Sequence, residues 1–62
     1  MNTEYIVVTI NTPEIRSTMN ALTGAELVSS QGTFICWHWN NPDPGDLATA
    51  EGIDGYRGTV QL

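Results

Sequence analysis

Cys36 and His38 are the only thiol and the only imidazole of the chain, two residues apart in the stretch FICWHWN. On a β-strand that spacing places both side chains on one face, as two metal ligands or a nucleophile and its base require. The rest of the sequence completes neither arrangement. A structural zinc site takes four ligands and a catalytic one three, and only carboxylates remain to supply them. No third group stands where it would orient His38 for proton transfer. A metal or thiol site at Cys36 and His38 therefore ranks third among the functional expectations. No catalytic residue, metal ligand or cofactor is assigned, and the chain is read as non-enzymatic.

The segment that follows concentrates carboxylates. Asp43, Asp46, Glu51 and Asp54 fall within twelve residues that hold no positive charge. An EF-hand loop would place oxygen ligands at every second residue around a mid-loop glycine, and this spacing does not. What remains is a solvated acidic loop or a surface for a basic partner. Trp37 and Trp39 would lie side by side on one strand face, either filling a small core or anchoring an interface, where truncating a tryptophan removes about 2 kcal/mol or more.

Composition narrows the partners. Seven carboxylates face only Arg16 and Arg57, there is no lysine, and the formal net charge is −5. Phosphate binding depends on clustered Lys and Arg, so direct nucleic-acid binding is not expected, nor is attraction to an anionic membrane. A basic protein would be attracted. Neither a signal-peptide pattern at Met1 to Glu4 nor a long apolar run is present, so the expected location is the cytoplasm.

Such residues need elements to hold them. YIVVTI, residues 5–10, is β-branched or aromatic throughout and apolar on both faces, which predicts a central strand. Asn11 or Thr12 can cap a helix with Pro13 in its first turn; Ile15, Met19 and Leu22 form its buried stripe, and Gly24 ends it. Residues 25–39 read as a hairpin turning at Gln31-Gly32, which pairs Leu27 with Cys36 and Glu26 with Trp37. Residues 40–55 read as a long loop with one helical turn from Asp46 to Glu51. YRGTVQL alternates as a closing strand.

The expected fold is a single domain over residues 1–62, an α+β two-layer sandwich with a four-stranded, mostly antiparallel sheet and one helix in the order β-α-β-β-β. One helix covers one sheet face, so the other keeps exposed apolar side chains unless another chain covers it. Glu26 beside Trp37 marks the tryptophan face as that open one. The leading functional expectation is an interaction module that docks through Trp37, Trp39, Ile35 and Glu26, with Asp43, Asp46, Glu51 and Asp54 meeting a basic, nucleic-acid-binding protein. Small acidic inhibitors of phage or mobile-element type share this composition. A self-assembling structural subunit, a homo-oligomer, is the alternative, because so short a chain supplies a core of only about 3–5 kcal/mol.

Overall fold

The computed structural model describes residues 3–62; Met1 and Asn2, part of the leading segment read above, lie outside them. The elements run β1 (Glu4–Ile10), α1 (Pro13–Asn20), β2 (Ala25–Gln31), β3 (Phe34–Asn40), α2 (Pro44–Glu51) and β4 (Tyr56–Gln61). All three strand pairings are antiparallel, in the order β2-β3-β1-β4, so β1 is central as its two apolar faces predict.

Two helices replace the single one expected. The Asp43 carboxylate accepts the Gly45 N–H at 2.8 Å, and Pro44 opens α2 where a missing N–H costs nothing. Asp46 lies in the first turn, favoured by the helix dipole, and Gly52 caps the end. Asn, Pro, Asp and Gly make loops and helix N-termini alike, and only Ala50 of α2 is fully buried, so the segment carries little helical periodicity. α1 follows expectation at its start, where Thr12 Oγ1 accepts the Ile15 N–H at 3.2 Å. It stops at Asn20, and Leu22 packs on the core from the turn beyond.

The hairpin register is also corrected. The loop is Gly32-Thr33, with Gly32 at φ +57° in the first central position, where a II′ turn places glycine. Gln31 then faces Phe34, Ser30 faces Ile35 and Ser29 faces Cys36; a bulge at Val28 resets the pairing, so Leu27 opposes Trp37 and Glu26 opposes His38. Both helices pack on the same side of the sheet. Val7, Thr9, Ile35, Trp37 and Trp39 are fully buried there, beneath Ile15 and Met19 of α1 and Ala50 of α2.

That placement overturns the docking face read from the sequence. Trp37, Trp39 and Ile35 have no exposed surface at all. Glu26 does not sit beside Trp37; the bulge at Val28 carries it to the opposite face with His38. The second helix supplies the shielding that one helix alone could not. Among the described residues, no helix is long and apolar enough to cross a membrane.

Candidate functional site

Alternation along β1 and β3 sends every second side chain away from the helices, and on that side none of the described residues covers the sheet. The open face is a set of cross-strand rows. Glu26, His38, Ile6 and Val60 form one row; Ser29, Cys36, Val8 and Gly58 the next; Gln31 and Phe34 the row nearest the hairpin turn. Ile6, Val8 and Cys36 are half-buried by their neighbours alone, while Phe34 is 47% and Val60 60% exposed. A side chain added at Gly58 would meet nothing within 4 Å, so the row there ends in a shallow notch at the sheet edge.

The polar end of this face is organised around His38. Its Nε2 lies 2.9 Å from Glu4 Oε1, on the neighbouring strand one pair along the diagonal, and Glu26 stands directly opposite on the other side. His38 and Glu4 remain 28% and 49% exposed at their side chains, so the pair is solvated and contributes little to stability. Glu4 is the orienting group that the sequence alone did not identify. Only the antiparallel β1–β3 register, which matches Glu4 with Asn40 and Ile6 with His38, brings it within reach.

Cys36 and His38 do share a face, as their spacing implies. His38 turns to Glu4 rather than to the thiol, and Cys36 is free and partly exposed. Among the described residues, no three His, Cys, Asp or Glu side chains gather closely enough to hold a metal ion, and no enclosed pocket opens on the surface. The site is therefore a flat, half-apolar surface with two carboxylates at one end.

The carboxylates of residues 43–54 lie elsewhere, on α2 and the turn after it, in the helix layer. Asp43, Glu51 and Asp54 are exposed and Asp46 partly so. Asp43 and Asp46 have structural work at the start of α2, and none of the four borders the tryptophans on an exposed face. The sequence did contain the cue for this open face: Ile6, Val8 and Phe34 are apolar although one helix covers only one side of the sheet. Comparison with protein-family models, curated proteins and solved structures finds no match.

Proposed function

We propose that this chain is a non-enzymatic protein-interaction module that docks a basic protein on its open sheet face. The observation that carries the reading is the one-sided cover of the sheet: both helices lie over the tryptophans, and Ile6, Val8, Phe34, Cys36 and Val60 stay in contact with solvent on the other side. Apolar surface of this kind on a small acidic chain is a binding surface in waiting. The net charge of −5 favours a cationic partner. Glu4 and Glu26 meet that partner directly, while Asp43, Asp46, Glu51 and Asp54 contribute the long-range field that steers its approach.

An inhibitor that occupies the basic surface of a nucleic-acid-binding protein is the concrete form of this reading, of the type that phages and mobile elements carry. An unpaired thiol at Cys36 suits a reducing cytoplasm. The test is site-specific photo-crosslinking in cells, with a benzophenone amino acid in place of Phe34 and, separately, in place of Glu51. A basic protein cross-linked from position 34 but not from 51 supports the proposal. Cross-linking of the chain to itself from position 34 would establish the self-assembling subunit instead, and capture from position 51 alone would move the interface to the helix layer.

A further inference from the structure

Resting on that docking reading, we infer that the partner element seated on the open face is a single basic amphipathic α-helix. Its Lys or Arg would lie between Glu4 and Glu26, and its aliphatic side chains over Val8, Cys36 and Phe34. Three observations select this occupant.

The first is the shape of the apolar band. It follows the two central strands, β3 and β1, reaches Val60 on β4, and is bordered on β2 by Glu26, Ser29 and Gln31. Two strand spacings measure about 10 Å, the width of one helix and too narrow for a partner sheet. The seven-residue strands beneath it run about 23 Å, the length of roughly fifteen helical residues.

The second is the state of the sheet edges. β2 bulges at Val28 and β4 between its pairings with Val8 and Thr9, whereas the β1–β3 register runs without interruption. Bulged edges are poor templates for an added strand, so a partner gains more by lying on the face than by extending the sheet.

The third is charge. Glu4 and Glu26 flank His38 from the two neighbouring strands, and among the described residues the rows of this face hold no lysine or arginine. Arg16 belongs to the helix layer, where its guanidinium donates to Asn11 Oδ1 at 2.9 Å, and Arg57 lies at the bulge of β4. A second copy would bring another net −5 towards this face, which opposes self-association. A lysine or arginine flanking an aliphatic helical stripe relieves that repulsion and leaves the stripe over the apolar band.

The experiment titrates the isotope-labelled full chain with two synthetic fifteen-residue helical peptides that share one leucine stripe, one with a Lys/Arg polar face and one with a Glu polar face. The basic peptide should shift the amide resonances of residues 6, 8, 34, 36 and 38 and leave α2 unchanged. Glu4→Gln with Glu26→Gln should weaken it by about tenfold and flatten its salt dependence. Equal binding of the acidic peptide, shifts centred on residues 43–54, or unchanged affinity in the E4Q/E26Q variant would each overturn the inference. The docking reading fails separately. A partner cross-linked from position 34 whose contact segment maps to a strand or loop sinks the helix alone, whereas no basic partner at that position sinks both.

Discussion

Each of the two indoles in the core ends in one hydrogen bond: Trp37 Nε1–H donates to Thr9 Oγ1 and Trp39 Nε1–H to the Thr23 carbonyl, both at 2.9 Å. Among the described residues, no buried side-chain nitrogen or oxygen lacks a partner. Thr9 itself is fully buried, so Thr9→Val keeps the volume and strands the indole N–H; it should cost about 1–3 kcal/mol in a urea titration, with less than additive loss when combined with Trp37→Phe. Truncating a buried tryptophan costs about 3–5 kcal/mol, as much as the whole stability of a core this size. Trp37→Ser with Trp39→Ser should therefore give a chain without the chemical-shift dispersion of a fold, and a folded double variant would contradict the enclosed core. Gly55 is equally constrained. At φ +118° a Cβ there would lie 2.6 Å from both Ile10 Cγ1 and Ile15 Cδ1, whereas at Gly32 it would meet nothing, so Gly55→Ala should lower the thermal midpoint well beyond Gly32→Ala.

At the scale of elements, both helices have eight residues and start with a side-chain cap followed by proline. Helices of two turns are not stable alone, so their caps and their contact with the sheet decide whether they form. Thr12→Ala should cost about 0.5–2 kcal/mol, read from the urea midpoint, and Asp43→Ala should act in the same direction while Asp43→Asn retains most of the cap. Asp43 is thus a stability position before it is a binding one. The strands were legible because β-branched runs and clean alternation have few other interpretations. α2 was legible only from Asp46 to Glu51, since the residues that cap and open it, Asp43 and Pro44, are also loop residues. The β2–β3 register escaped because a one-residue displacement of the turn moves every partner by two, and the bulge then inverts the faces of the residues before it; nothing local to Val28 announces it.

For the whole molecule, two helices over one face of four strands leave an asymmetric particle: a dry side, and a wet side with an apolar band. Five of the seven carboxylates lie off the open face, on α1, on α2 or in the turn after it. Glu51→Gln with Asp54→Asn should lower the association rate with the partner captured at position 34 and leave its dissociation rate unchanged, measured by surface plasmon resonance at low salt. The difference should vanish as ionic strength rises to about 0.5 M, where charges more than a few ångströms apart are screened.

Residue types and their order were enough to specify an acidic α+β domain, a central first strand, a capped helix after it, and more apolar strand surface than one helix can cover. Those are local or additive properties, readable wherever the chain folds. Which face the helices take was settled only in three dimensions, because it depends on a bulge and on a second helix that must find something to bury. The indoles, with the largest apolar area and one N–H each to satisfy, reach Thr9 and the Thr23 carbonyl on the helix side, and the face left open is the one opposite.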